Sequence, residues 1–342
     1  LAQSNLATAT PPAPGATKPP RQAGAALKLA AGKIGAFLFT VFVSSVIVFF
    51  SRWLVPGDPI SFLLRGRSPN PEAIAEVTAI YGLDKPPLEQ YWNWLTGIIL
   101  HGDFGRSLQY RQDVTDVILG RLPVTLGLVV MSGVMIAILG LAAGIAASLL
   151  RGTWADRAIV ASMSGLAAIP SFVGAIVLIA IFAVQLGMFP SFGSGTGFGD
   201  MVYHLVLPSL ALALSFIAVV GRVTRSSMVE QFAREHVEVA RSRGVTPVAV
   251  VTRHVLRNAT GPILTVSGLL VAGLLVSSAI VEQAFGLAGL GSLLVSSVDR
   301  LDFPVVQAIV LIVVTAFVAI NTLVDLLGPV IDPRLKAGEG AR

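Results

Sequence analysis

Six apolar runs divide the chain, at about residues 29–51, 122–150, 158–186, 203–221, 262–281 and 304–328. Each is near or above the ~20 residues that carry a helix across a bilayer core. The pattern predicts an all-α polytopic membrane protein with six transmembrane helices. Pro123 and Pro208 fall near the starts of their runs, and Pro170 falls inside the third. A proline within a span is tolerated because neighbouring helices can satisfy the carbonyl it frees. Residues 1–26 are rich in Ala, Pro, Thr and Gly without apolar periodicity, and are expected to be a disordered tail. That tail lacks the compact apolar core and cleavage site of a signal peptide, so the first run is expected to be a retained span. A transmembrane domain then covers 27–335, and 336–342 form a second tail.

Two polar interruptions stand out. The first, 52–121, follows span one and is expected to be external. Within it, Ile74, Val77 and Ile80 share one helical face, and Tyr91, Trp92 and Trp94 suit an interfacial aromatic belt or a surface that receives substrate. The second, 222–261, separates spans four and five. It holds seven arginines, from Arg222 to Arg257, against Glu230, Glu235 and Glu238.

Composition agrees with the membrane class: 54% of the 342 residues are hydrophobic and 13% charged, half the ~25% usual for soluble domains. Mean hydropathy is +0.80. The net charge of +5 comes from loop Lys and Arg and does not imply a nucleic-acid partner. Lys18, Arg21, Lys28 and Lys33 precede or open span one, Arg151 and Arg157 lie between spans two and three, and Arg334, Lys336 and Arg342 close the chain. The loop at 187–202 has no basic residue, and that between spans five and six has only Arg300. Cytoplasmic loops retain positive charge, so both termini and the 222–261 loop are expected on the cytoplasmic side. There is no cysteine, which excludes disulfides and thiolate chemistry.

Charge within the spans is scarce. Glu282 and Asp325 lie near span ends, where hydrogen bonding at a helix end is the expected role. Gly133, Ala137, Gly140, Gly144 and Ala147 form a small-residue stripe on span two, a face suited to close helix packing. No GxxxxGK[ST] phosphate loop, HExxH metal pair or GxSxG nucleophile motif occurs. The glycines of 286–291 follow a membrane helix rather than a strand, so they do not read as a dinucleotide turn.

The 222–261 loop contains Glu238-Val239-Ala240 followed by Gly244, an E-x-A-x-x-x-G pattern. It resembles the coupling loop of ABC-importer permeases, although the I-x-L-P of the fuller pattern is replaced by His254-Val255-Leu256-Arg257. Other stretches resemble the dipeptide/oligopeptide/nickel branch of that family. They are Pro56-Gly57-Asp58-Pro59, the external run from Tyr81 to Ser107, Arg121-Leu122-Pro123 with Thr125-Leu126, Ile169-Pro170-Ser171-Phe172, and Arg253-His254-Val255-Leu256-Arg257-Asn258-Ala259. Glu282, Phe285 and Gly289-Leu290-Gly291, then Asp332-Pro333-Arg334, complete an ordered likeness over about 30–335.

The resemblance implies a non-catalytic inner-membrane subunit of a bacterial importer, half of a pathway that works by alternating access. It implies as partners a second homologous permease, two ATPase subunits and an external solute-binding protein or lipoprotein, with membrane lipid around the spans. ATP and Mg would be bound by the ATPases, and this chain would hold no cofactor. Glu238, Ala240, Arg241, Arg243 and Gly244 are the implied ATPase-docking residues. Small Ala240 would fit a partner's cleft, and Gly244 would permit the turn that ends a short helix. Di- and oligopeptides are the expected solutes. Nickel is the alternative, although no Met/His cluster lines a span. An ion-coupled carrier would instead show matching halves and midplane acids, and a non-transporting scaffold would bind a partner without ATP-dependent flux.

Overall fold

The structure, a computed structural model, describes residues 21–53, 71–72, 74–75, 78 and 84–331. The expected tails over 1–20 and 336–342, the Pro56–Pro59 stretch, Val77, Ile80, Tyr81–Leu83 and Asp332–Arg334 lie outside them. The described residues form helices and no strand, with one isolated bridge between Arg106 and Asp113. In order, the helices are α1 (Arg21–Phe50), α2 (Pro87–Thr96), α3 (Val114–Leu149), α4 (Trp154–Ala168) and α5 (Ser171–Gln185). There follow α6 (Phe198–Phe232), α7 (Glu235–Ser242), α8 (Pro247–Ala284), α9 (Leu290–Asp299) and α10 (Phe303–Ile331). Helix α1 begins at Arg21, so the expected disordered tail is too long by six residues.

Five helices (α1, α3, α6, α8 and α10) are long and apolar enough to cross a membrane, and α4 with α5 supplies a sixth crossing if the pair is one span. That pair corrects the expected continuous third span. The chain bends by 104° between them. A proline excludes the preceding residue from the helical region, and Ile169 is extended (φ −81°, ψ 117°). The carbonyl released at Ile169 accepts a hydrogen bond from Ser215 Oγ of α6 at 3.0 Å. Pro123, Pro208 and Pro262 lie inside α3, α6 and α8 without ending them.

Helix α6 is the hub. It packs against α3, α4, α5 and α8, and 61% of its most apolar stretch is buried, against 11% to 33% in the other long spans. Helix α3 shows how one apolar helix divides its faces. Leu128, Val129, Ser132, Ile136, Gly140, Gly144 and Ala147 turn inward, while Leu126, Val130, Val134 and Ile138 recur every four residues on an exposed face. The small-residue stripe makes the contact with α6. A Cβ on Gly144 would stand 2.5 Å from Gly221 O and from Thr224 Cβ, and one on Gly140 would be 3.1 Å from Val220. Ser132 Oγ adds hydrogen bonds to Leu128 O (2.7 Å) and, across the interface, to Ser209 O (3.1 Å). Gly133, counted in the same stripe, faces open space.

The corner after α8 is built on Glu282, which is fully buried. Its carboxylate accepts from Thr125 Oγ1 of α3 at 2.7 Å and from the Ser292 amide of α9 at 2.9 Å. Thr125 Oγ1 in turn accepts from the Leu290 amide at 2.8 Å. Side chains at Gly289 and Gly291 would collide with the Glu282 carboxyl and with Ala279. Gly289 and Gly291 are therefore packing residues of a helix corner, and Gly286 supplies its left-handed turn at φ +57°. Glu282 thus fills the hydrogen-bonding role expected near a helix end. Asp325 instead pairs with Lys33 of α1 at 2.5 Å, joining the first span to the last.

At the same end of the molecule as that corner, α2 lies on α1. Tyr91 is buried, its hydroxyl 2.8 Å from Ser45 Oγ and its ring 5.3 Å from Phe49. Trp94 packs on the same Phe49 ring, whereas Trp92 is exposed. The expected aromatic belt is therefore divided between a packed cluster and one outward ring. Asp302, fully buried before α10, accepts hydrogen bonds from Ser107 Oγ (2.5 Å) and from the amides of Leu108 and Gln109 (3.2 Å each).

The Gly144 contact yields a paired test. Gly144→Ala forces α3 from α6 and is expected to destabilise the purified chain by roughly 1–3 kcal/mol, as overpacking does. Gly133→Ala, in open space, should leave the melting temperature in detergent nearly unchanged. Equal melting temperatures for the two variants would refute the close-packing role of Gly144.

Candidate functional site

Helices α6 and α8 extend well past the expected span limits of 203–221 and 262–281. Most of the basic loop consequently consists of their helical continuations, and only 233–246 runs between them. Helix α7 occupies the middle of that link. Glu235 and Glu238 stand in its first turn and Arg241 in its last, each with the sign that the helix dipole favours at that end. Arg243 follows as the cap residue, and Gly244 adopts φ +74°. That left-handed conformation costs a residue with a Cβ roughly 1–2 kcal/mol. It lets the Gly244 amide reach Arg241 O (3.0 Å) and the Val245 amide reach Ala240 O (3.1 Å). These bonds satisfy carbonyls left open at the helix end. Thr246 and Pro247 then start α8, with proline in the first turn where its missing N–H costs nothing.

The short helix has two distinct faces. Val237 and Ala240 are buried against Met228 of α6 and Val250, Val255, Ala259 and Ile263 of α8. Glu238, Arg241, Arg243 and Gly244 are exposed, and Val239 is 47% exposed among them. Ala240 is thus turned toward its own chain, contrary to the expected fit in a partner's cleft. Its small side chain sets how closely α7 approaches α6 and α8. The free surface includes Glu235, Glu238, Val239, Ser242 and Arg243.

The Arg253–Ala259 stretch supports α7 from below. Residues Val250–Leu256 follow a π-helical path. His254 O accepts from Asn258 Nδ2 at 2.6 Å and lies 3.3 Å from His236 Nε2 of α7. Asn258 Nδ2 is also 3.3 Å from His236 Nε2. Val255 and Ala259 are fully buried in the cluster beneath α7. Sequence reasoning aligned these residues with a family but assigned them no contact.

The arginines divide by role. Arg225 reaches Asp156 of α4 through Nε (2.7 Å) and Nη2 (2.8 Å). Asp156 Oδ2 also accepts from the Gly152 amide at 3.0 Å, and Thr153 Oγ1 caps α4. This bidentate pair locks the turn between α3 and α4 to α6, just short of α7. Arg234 pairs with Glu230 one turn back at 2.5 Å, and the Arg241 guanidinium lies 5.7 Å from the Phe232 ring centre. Arg222, Arg243, Arg253 and Arg257 are exposed. The Asp156 pairing was not foreseen, because Asp156 and Arg225 are far apart in sequence and share no motif.

Comparisons with known proteins agree with this arrangement. Residues 136–337 match the family described as "Binding-protein-dependent transport system inner membrane component", and residues 28–129 match its N-terminal companion. The chain is 39% identical over 298 residues to the glutathione transport system permease protein GsiC of Escherichia coli K12, covering 87% of this chain and 95% of the relative. The GsiC protein of Shigella dysenteriae serotype 1 matches to the same extent. Among solved structures, an inward-facing MetNI methionine ABC transporter superposes with a TM-score of 0.51 at 16% identity, covering 64% of this chain and 97% of that one. That likeness concerns the fold. With the family models spanning most of its length, the chain belongs to the inner-membrane components of binding-protein-dependent transport systems, the permeases of ABC importers.

Proposed function

We propose that the chain forms half of the translocation pathway of an importer for glutathione and other short peptides, with α7 as the lever moved by a separate ATPase. The observation that carries the reading is the form of α7. One face is sealed into its own chain by Val237 and Ala240, and the other is a free charged surface around Glu238, Val239 and Arg243 that ends at a glycine-dependent turn. A partner that binds this face can move α6 and α8 together, because α7 is packed on both. Charge-assisted contacts suit such a joint, being strong and directional.

The solute reading rests on relatives named for glutathione transport. Glutathione is a tripeptide, so a pathway for it lies within the short-peptide class, and the likeness favours peptide over nickel. The exposed apolar stripe of α3 (Leu126, Val130, Val134 and Ile138) and the outward residues Ile176, Val177 and Val184 of α5 are suited to lipid or to a second permease subunit. A second homologous permease, two ATPases and an external solute-binding protein or lipoprotein complete the proposed assembly, with both termini and α7 on the cytoplasmic side.

Three measurements test the reading. Glu238→Lys and Gly244→Val are expected to insert at normal levels while ATP-driven glutathione uptake falls by roughly tenfold or more, the loss of charge-assisted contacts worth ~1.5–3 kcal/mol. Normal uptake in both variants would remove α7 from the coupling path. In the reconstituted complex with its binding protein, glutathione and di- to oligopeptides should stimulate ATP hydrolysis and Ni²⁺ should not, and the reverse pattern would overturn the solute assignment. Because the chain is cysteine-free, Ser242→Cys and Thr196→Cys can report sidedness. An impermeant maleimide should label Ser242→Cys only from the cytoplasmic side and Thr196→Cys only from outside. The opposite labelling would invert the topology.

A further inference from the structure

Between the end of α3, the end of α6 and the start of α8 lies an open groove of about 600 Å³, lined among others by Leu149, Arg151, Phe232, Arg241, Val250 and Val251. Its walls are apolar, two guanidinium groups are its charged members, and no acidic residue lines it. Arg151 is exposed and forms no ion pair or hydrogen bond among the described residues, and the neighbouring acid, Asp156, is already held by Arg225 through both oxygens. Arg241 leans over Phe232 rather than pairing with a carboxylate. A cavity with cationic and hydrocarbon surfaces side by side asks for an occupant with an anionic head and an apolar body.

The position of the groove indicates its source. Leu149, Leu150 and Trp154 are exposed beside Arg151, with Trp154 82% exposed. Tryptophan and arginine next to the end of an apolar span mark the level of the membrane–water interface. We propose that this groove binds an anionic phospholipid, its phosphate between Arg151 and Arg241 and its upper acyl chain along Leu149, Val250 and Val251. The site touches the root of α8, so lipid occupancy would bear on the segment that carries α7. It depends on the chain being a membrane protein and not on the proposed solute or on ATPase docking.

Trp154 supplies the probe, since Trp53 and Trp94 pack in the cluster at the far end of the molecule and Trp92 stands exposed beside it. The full chain would be reconstituted in phosphatidylcholine vesicles containing increasing fractions of brominated phosphatidylglycerol. The Trp154 signal would be isolated by subtracting the Trp154→Phe variant. Quenching is expected to saturate at a low fraction of the anionic lipid, as filling of one site does. Arg151→Gln should weaken that saturation about fivefold, the ~1 kcal/mol that one basic residue contributes near an anionic surface. Arg157→Gln, an exposed arginine outside the groove, should leave it unchanged. Quenching that rises linearly without saturation, or an equal loss in both variants, would reduce the effect to general surface charge and overturn the proposal. It would also fall if Arg151→Gln left lipid quenching intact but weakened binding of the ATPase subunits, because the groove would then belong to the partner protein.

Discussion

The approach of α3 to α6 at Gly144 and Gly221 is the contact on which the other helices depend. Lipid is as apolar as the side chains it would surround, so helices in a bilayer gain little from hiding hydrocarbon and must gain from close packing instead. The absence of a side chain at Gly144 brings α3 against the carbonyl of Gly221 and the side chain of Thr224. With α3 held there, α6 has its remaining sides free for α4, α5 and α8. The peripheral α1 is added last in this hierarchy, through α10, the Lys33–Asp325 pair and the donation by Gln307 Nε2 to Phe49 O at 3.1 Å.

Around this hub, several polar groups stand where helices break or end. Ser215 answers the carbonyl freed at Ile169, Glu282 gathers Thr125 and Ser292, Asp302 collects the 107–109 turn, and Asp156 binds Arg225. Unpaired polar groups are costly in an apolar interior. At these breaks another element supplies the partner. Apart from the local Glu282–Ser292 bond, these ties join residues distant in sequence. The Asp156–Arg225 pair matters most for the site, because it holds the last turns of α6 in place just before the chain enters α7.

The family was legible from sequence because its motifs are local. Glu282, Phe285 and Gly289-Leu290-Gly291 lie within ten residues, and the structure supplies their reason: a carboxylate needs donors, and a tight corner excludes side chains beside it. Gly244 was legible for a similar cause, a turn requiring positive φ immediately after a charged helix. Ala240 was recognised by position but assigned the wrong surroundings. A motif records residue type and spacing, whereas the side of an eight-residue helix that faces inward depends on what α6 and α8 place beneath it.

The apolar runs, the basic loop and the scarcity of charge by themselves determined that the chain is a helical membrane protein, because uninterrupted apolar runs of about twenty residues cross a bilayer as helices that satisfy their own backbone. They could not determine that the third run folds back at Pro170, since the cost of that break depends on whether Ser215 is present to donate to the freed Ile169 carbonyl. Nor could they separate the two faces of α3, for both are hydrocarbon and differ only in what lies opposite. Which arginines pair, which lie free, and where a groove opens between α3 and α8 were decided by the tertiary structure alone. Those outcomes follow from distances between residues that the order of the chain leaves far apart.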